Sequence, residues 1–243
     1  MKLILRLACD RLQIVGYFFD RVGSADKIVY LLYDYHSLYI ELGNHDILWV
    51  GAAVGSKVCI ANVLRISARY DNLETIEDAY GISLRHLLTF AESTYPNIKN
   101  SKYHPKMAPE KTDHYEEESL QLAKIQKAMA IIQFKLEAEI IHRRPDFEME
   151  SRLLLDKIDY ENHTITLSGV TYPLIEDEFP TIDPSDPYKL TVEEEAVIER
   201  LVHSFKSSVR LEDHIRFLMN KGSMYLVYND NLLFHGCVPL SKE

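Results

Sequence analysis

Three features of the sequence predict an α/β protein. Two short β-rich runs, Leu12-Gln13-Ile14-Val15 and Leu38-Tyr39-Ile40-Glu41-Leu42, bracket a stretch from Lys27 to Tyr35. In that stretch Ile28, Leu31, Leu32 and Tyr35 have helical spacing. Strand, helix, strand in this order is a βαβ unit, whose sheet is expected to be parallel and buried. Farther along, a long amphipathic run from about Ser119 to Arg143 reads as a helix stopped by Pro145.

The remaining elements follow in chain order. The first strand ends at Gly16, and Asp20 to Asp26 reads as a loop carrying Gly23 and Ser24. The second strand ends at Gly43-Asn44-His45-Asp46. From Ile47 to Tyr70 the pattern is helical, with Val54, Val58, Ala61, Leu64 and Ala68 close to one face. Asn97 to Glu118 is polar, carries Pro105 and Pro109, and reads as an exposed excursion. The apolar stripe around Ile131 and Phe134 is expected to pack against the core or a second subunit, so a homo-oligomer is among the expectations. His163 to Leu167 alternates like a strand, with Gly169 to Tyr172 as its hairpin partner. Pro173, Pro180, Pro184 and Pro187 then punctuate an irregular segment.

Thr191 with Glu194 forms a capping box that opens a helix toward Phe205. The acidic triplets Glu116 to Glu118 and Glu193 to Glu195 read as solvated charges that complement helix N-termini. A further helix runs from about Leu211 to Asn220 and closes at Gly222. Met224 to Tyr228 and Leu232 to Phe234 flank Asn229-Asp230-Asn231, a hairpin signal that delivers His235-Gly236-Cys237. There is no internal repeat.

Composition narrows the partners. The 243 residues carry 27 Lys plus Arg against 37 Asp plus Glu, a formal net charge of −10. That balance repels nucleic-acid backbones and anionic membranes. No run approaches the roughly 20 apolar residues of a membrane helix, and Leu3-Ile4-Leu5 is too short for a signal-peptide core. Cys9, Cys59 and Cys237 are odd in number and scattered, which matches neither a disulfide framework nor a zinc site. The expectation is a soluble, acidic, cytoplasmic protein with no nucleic-acid or membrane partner.

The chemistry concentrates at the two strand ends, where ligands of such sheets sit. In Gly43-Asn44-His45-Asp46 the Asn carbonyl oxygen can ligate a divalent ion without adding charge. A neighbouring His can protonate a leaving oxygen when a carboxylate holds its tautomer. The same four residues also suit an ordinary turn. In Gly16-Tyr17-Phe18-Phe19-Asp20-Arg21, Asp20 can orient His45 and Arg21 can clamp phosphate bidentately, or the two form a surface pair.

Together these clusters resemble the metallophosphatase pattern Gly-Asp-x-x-Asp-Arg followed by Gly-Asn-His-Asp. The surrounding sequence, Gly43-Asn44-His45-Asp46-Ile47-Leu48-Trp49, Ala68-Arg69-Tyr70-Asp71-Asn72-Leu73 and Ile131-Ile132-Gln133-Phe134-Lys135-Leu136-Glu137, is similar to the bacterial class III fructose-1,6-bisphosphatases. So are Arg143-Arg144-Pro145-Asp146-Phe147, Phe179-Pro180-Thr181-Ile182-Asp183-Pro184, Lys221-Gly222-Ser223-Met224-Tyr225 and His235-Gly236-Cys237-Val238-Pro239-Leu240. The resemblance is collinear over nearly the whole chain. It implies a calcineurin-like metallophosphatase fold, a partial β-sandwich flanked by helices. A mainly helical insertion is expected over about 51–150 and a helical segment over about 188–222, within one partial domain spanning 1–243.

The implied activity is hydrolysis of the 1-phosphate of fructose 1,6-bisphosphate at a two-metal manganese site, a step of gluconeogenesis. Two such cations acidify a bound water and neutralise the transferring phosphoryl group. By the resemblance, Asn44 and His235 are metal ligands, His45 is the general acid oriented by Asp20, and Arg21 holds the phosphate. The departures are equally specific. Tyr17 stands where the bridging carboxylate is expected, and Val22 stands where a glycine follows Asp-Arg. The Asp-x-His motif that the family carries on a strand before the one at Leu12 is not found there, and the family's last metal-binding His is expected beyond Glu243. The expectation is an incomplete, impaired phosphatase, with two alternatives: an inactive remnant or partner of a full-length homologue, and a metallophosphatase for another phosphoester.

Overall fold

A computed structural model of the chain describes residues 10–19, 23–98, 102–106, 115–175 and 178–237. It is a mixed α/β structure. The elements are β1 (Leu12–Val15), α1 (Ala25–Leu32), β2 (Leu38–Glu41), α2 (Asn44–Ala53), α3 (Lys57–Arg69), a π-helical turn Thr75–Ala79, and α4 (Arg85–Thr94). They continue with α5 (Tyr115–Arg143), three short 3₁₀ turns between Pro145 and Lys157, β3 (Ile158–Asp159), β4 (Thr164–Leu167) and β5 (Val170–Pro173). Last come α6 (Val192–Ser207), α7 (Val209–Lys221), β6 (Gly222–Ser223), β7 (Tyr225–Tyr228) and β8 (Asn231–Phe234).

The βαβ unit is present. β1 and β2 pair in parallel, with Leu12 opposite Leu38 and Val15 opposite Glu41. β6 adds in parallel on the far side of β2, giving the order β1-β2-β6. The expectation of a buried sheet needs correction: Ile40 is fully enclosed, yet Leu12 to Ile14 are half-buried and Val15 is exposed. Among the described residues β1 has a partner on one side only, so its outer surface meets solvent.

Helices build most of the interior. α3 lies along α5, where Ile60, Ala61, Leu64 and Ala68 pack with Ala128, Met129 and Ile132. Alanines at this crossing let the two axes approach while the larger side chains interlock. Each fully buried Leu, Ile or Met contributes roughly 1.5–3 kcal/mol. The helical run expected over Ile47 to Tyr70 is in fact two helices. It begins earlier, at Asn44, and breaks at Gly55, whose φ of +92° no helix accommodates. Ser56 then caps α3 by accepting the Cys59 N–H at 3.4 Å. Most of the expected excursion over Asn97 to Glu118 lies outside the described residues, although α5 already starts at Tyr115.

A second correction concerns Glu194. The capping box forms, with the Thr191 N–H donating to Glu194 Oε2 (2.8 Å) and the Glu194 N–H to Thr191 Oγ1 (3.2 Å). The carboxylate is not solvated, however. It is fully buried and accepts from Lys135 Nζ on α5 at 2.7 Å. The same ammonium donates to the Thr181 carbonyl at 2.6 Å, so one buried pair ties α5, the proline-rich segment and the start of α6. Among the described residues no helix is long and apolar enough to cross a membrane.

Candidate functional site

The parallel register brings both polar strand ends to one edge of the sheet. Just past the strands, the Gly16 N–H donates to the Glu41 carbonyl (2.7 Å) and the Leu42 N–H to the Ser223 carbonyl (2.9 Å). Gly16 and Gly43 consequently leave the sheet side by side. Helix α2 starts at once, with Gly43 as its N-cap and Asn44 and His45 in its first two positions.

Asp46, the third residue of α2, holds the two strand ends together. It is fully buried. Its Oδ2 accepts the Gly43 N–H at 2.9 Å, and its Oδ1 accepts the Phe19 N–H at 3.0 Å. One carboxylate thus caps its own helix and pins the loop that follows β1. Burial raises the Asp46 pKa, and the amide donors and nearby His235 pull it partly back. Stacking reinforces the clamp: the Phe19 ring lies on Trp49 with centroids 4.6 Å apart, and both rings are buried.

His235 arrives from the opposite direction, at the end of β8. It is seated directly over the two glycines. A Cβ on Gly16 would fall 2.2 Å from His235 Nδ1, and one on Gly43 would fall 2.9 Å from its Cε1. Any side chain at either position would push the imidazole away, and Gly16 also has φ +69°. His235 Nδ1 is 3.3 Å from the Val15 carbonyl oxygen. A carbonyl only accepts, so Nδ1 carries the hydrogen in the neutral ring and the Nε2 lone pair is left to bind. The Tyr17 ring meets His235 edge to face at 4.6 Å, and Tyr17 itself sits at φ +69°.

The residues singled out in the sequence are placed as follows. Gly16, Tyr17, Gly43 and His235 converge at the strand ends. Asn44 is exposed at the start of α2, and His45 is half-buried. His45 lines a narrow crevice with Phe19, Trp49, Tyr70 and Asn72. Asp20, Arg21 and Val22 lie outside the described residues, so the proposed orientation of His45 and the phosphate clamp are not visible. Among the described residues no group of three or more His, Cys, Asp or Glu side chains could hold a metal ion.

Two features escaped the sequence reading. Asp46 stands in the sequence as one residue of a tetrapeptide, while its partner, the Phe19 N–H, lies 27 positions upstream. Tyr70 and Asn72, which wall the His45 crevice, entered only as words of a resemblance. At the end of β2, Glu41 is fully buried with neither carboxylate oxygen hydrogen-bonded, and burial raises its pKa.

Comparison with known proteins gives this edge its context. A family model described as Firmicute fructose-1,6-bisphosphatase matches residues 1–243. A protein of Clostridium botulinum named fructose-1,6-bisphosphatase class 3 is 53% identical over 242 residues, which is 100% of this chain and 37% of the relative. Proteins with the same name from Listeria innocua (53% identical, 100% of this chain and 37% of the relative) and Clostridium acetobutylicum (54%, 100% and 36%) are equally similar. The chain therefore spans a little over a third of the length of these curated relatives. No solved structure matches. The match over every residue and the identity above one half leave one assignment: the chain belongs to the Firmicute fructose-1,6-bisphosphatase family.

Proposed function

We propose that the chain forms one wall of a cytoplasmic, calcineurin-like fructose-1,6-bisphosphatase site serving gluconeogenesis, and that by itself it does not turn over substrate. The substrate reading rests on the relatives' name, fructose-1,6-bisphosphatase class 3. Supporting it is the seat of His235 over Gly16 and Gly43, with Nε2 free to bind and Asn44 starting the adjacent helix. A backbone carbonyl fixing the tautomer of an imidazole is the usual outer-sphere arrangement of a metal-ligating His.

The chemistry assigned to the chain is the leaving-group half of the reaction. Water adds at the 1-phosphorus, the bond from phosphorus to the C1 oxygen breaks, and that oxygen takes a proton from His45 to give fructose 6-phosphate and inorganic phosphate. Arg21 would hold the phosphate and Asp20 would orient His45. Manganese, when bound in this family, would supply the acidified water and charge neutralisation. The donors present do not fit two such ions. Asn44 and His235 are neutral, and Tyr17 offers a phenol in place of a bridging carboxylate. No further step is assigned through the metal.

The test is calorimetric manganese titration together with phosphate release from fructose 1,6-bisphosphate. The isolated chain is expected to release phosphate no faster than buffer, and Tyr17→Asp to add weak manganese binding without turnover. Turnover well above buffer that is abolished by His45→Ala would overturn the inactive reading. If Tyr17→Asp leaves manganese binding unchanged while the variant stays folded, the bridging role of that position is wrong.

A further inference from the structure

The substrate of the proposed reaction carries two phosphates, and only one of them is cleaved. The other keeps its charge throughout, so it needs cations of its own, a hexose length away from the reacting phosphorus. Tyr70 is the landmark, because it walls the His45 crevice together with Asn72. Two sets of charged side chains meet at Tyr70.

The first set lines the larger cavity, of about 510 Å³, that Tyr70 and Asn72 also border. Asp26, Asp71, Glu74 and Asp78 stand there against Lys27 and Arg210. Arg210 is already engaged, donating to Asp26 Oδ2 at 3.1 Å and to the Ala79 carbonyl at 3.0 Å. This lining is net negative and repels a phosphate dianion.

The second set is basic. Helix α3 ends at Arg69, and the Lys106 N–H donates to the Arg69 carbonyl at 2.7 Å, which holds the 102–106 segment against that helix end. The Lys106 ammonium lies 5.9 Å from the centre of the Tyr70 ring. Arg65 stands one turn before Arg69 on α3, its Nε donating to Gln133 Oε1 at 2.6 Å. Burial lowers the Arg65 pKa, and Arg69 and Arg152 lower it further against the pull of Glu137. Glu137 is itself paired with Arg152 at 3.5 Å. Among the described residues neither Arg69 nor Lys106 has a carboxylate within ion-pair distance. A cation in the last turn of a helix complements the dipole, which accounts for Arg69. It does not account for Lys106 beside it, without a counter-charge, in a chain whose net charge is −10.

We propose that Lys106 and Arg69 form the subsite for the distal phosphate, the 6-phosphate of fructose 1,6-bisphosphate, and so select a bisphosphate over a monophosphate. Lysine serves such a group as a point charge and arginine as a planar fork. The sugar then runs from His45 past Tyr70 to this pair. The inference rests on the phosphatase reading for its ligand, and the two can fail separately.

Binding is measured first, on the isolated chain, by NMR titration with fructose 6-phosphate and with fructose, which differ only in that phosphate. Fructose 6-phosphate is expected to bind at least about tenfold more tightly, the size of one charge-assisted contact. Lys106→Met, at an exposed position, should abolish the difference, and Lys106→Arg should keep most of it. Lys27→Met, in the acidic cavity, should leave it whole. Equal affinity for the two sugars, or no saturable binding of fructose 6-phosphate, overturns the proposal. So does a preference that survives Lys106→Met or disappears in Lys27→Met. The second arm is a chimera in which the chain, with Tyr17→Asp, replaces the matched region of the Clostridium botulinum relative. It compares hydrolysis of fructose 1,6-bisphosphate with that of fructose 1-phosphate. Lys106→Met should lower the advantage of the bisphosphate about tenfold, through KM rather than kcat. A chimera that hydrolyses both sugars and keeps that advantage in Lys106→Met overturns the subsite alone. A chimera that binds fructose 6-phosphate through Lys106 yet releases phosphate from neither sugar overturns the phosphatase reading and supports the subsite.

Discussion

Along the seam between α3 and α5, Ile60, Leu64, Met129 and Ile132 are fully buried, and a polar chain runs through it: Arg65 Nε donates to Gln133 Oε1 at 2.6 Å, and Gln133 in turn donates to Glu137 Oε1 at 2.6 Å, while Gln126 Oε1 and Glu137 Oε2 on α5 are buried without a hydrogen bond. On the strand side, among the described residues, β1 pairs along one side only, Tyr225 and Val227 stand in solvent, and both oxygens of the Glu41 carboxylate are buried without a hydrogen bond. Both regions come from one short chain of ordinary composition. The helical half satisfies its own packing, whereas the strand half is built for contacts it does not itself supply. Stability should accordingly reside in the helices, while the candidate chemistry sits at the seam with the strands.

The largest test of that contrast is Lys135→Met. It removes the ammonium partner of the buried Glu194 carboxylate, which costs about 3–5 kcal/mol in urea unfolding. The double variant with Glu194→Leu should recover much of the loss. A double variant no more stable than Lys135→Met would show that the pair is not what joins α5 to α6.

Next in size is Asp46→Ala. It leaves the buried Phe19 and Gly43 N–H groups without an acceptor, at about 2–4 kcal/mol for the two. Asp46→Asn keeps one strong acceptor and should lose distinctly less. If alanine and asparagine behave alike, the carboxylate is not the clamp between the two strand ends.

Glu41→Gln should act in the opposite direction, stabilising by about 1–2 kcal/mol at neutral pH because an unpaired buried charge is removed. Burial raises the folded-state pKa of Glu41 above its ordinary value of 4.5. Folding is therefore penalised as pH rises from that ordinary value through the folded-state value, and not penalised below it. The advantage of Gln should shrink as pH falls toward 4.5 and vanish beneath it. A pH-independent difference would point to packing instead of ionisation.

Smallest is Val227→Glu, which should change the stability of the isolated chain by less than about 0.5 kcal/mol, as expected for an exposed position. A loss comparable to Asp46→Ala would mean that Val227 is already packed in solution.

Much of this fold is legible in the sequence because the signals are local. The strand-like run of Leu12 to Val15, the Thr191 and Glu194 capping box and the hairpin turn at Asn229-Asp230 each lie within a few residues, and each forms as read. Pairing across distance is what local reading cannot supply. Three consecutive glutamates at a helix start look solvated, and only Lys135, 59 positions away, makes Glu194 an interior residue. Helix α4 and the π-helical turn before it carry no comparable local signal and fall only within the helical insertion that the resemblance implies over about 51–150. At the candidate site, the residue types of the two clusters were readable, including the His235 that follows a strand. The tie between them through Asp46 was not, since an acidic residue after His reads as a turn former until the N–H groups that donate to it are seen. The predicted burial of the parallel sheet failed for a related reason: the pattern of a strand reports what its faces would accept, not what this chain places against them.

Tyr17 has a consequence at the level of the gene. Both tyrosine codons differ from the two aspartate codons in the first base alone, so one point mutation would put a carboxylate beside His235. The slots that admit the imidazole, at Gly16 and Gly43, are still open, and neither tolerates a Cβ. Drift that closed either slot would require His235 to relocate. As the molecule stands, the two slots that seat His235 are open, and a single nucleotide separates the phenol beside that imidazole from a carboxylate.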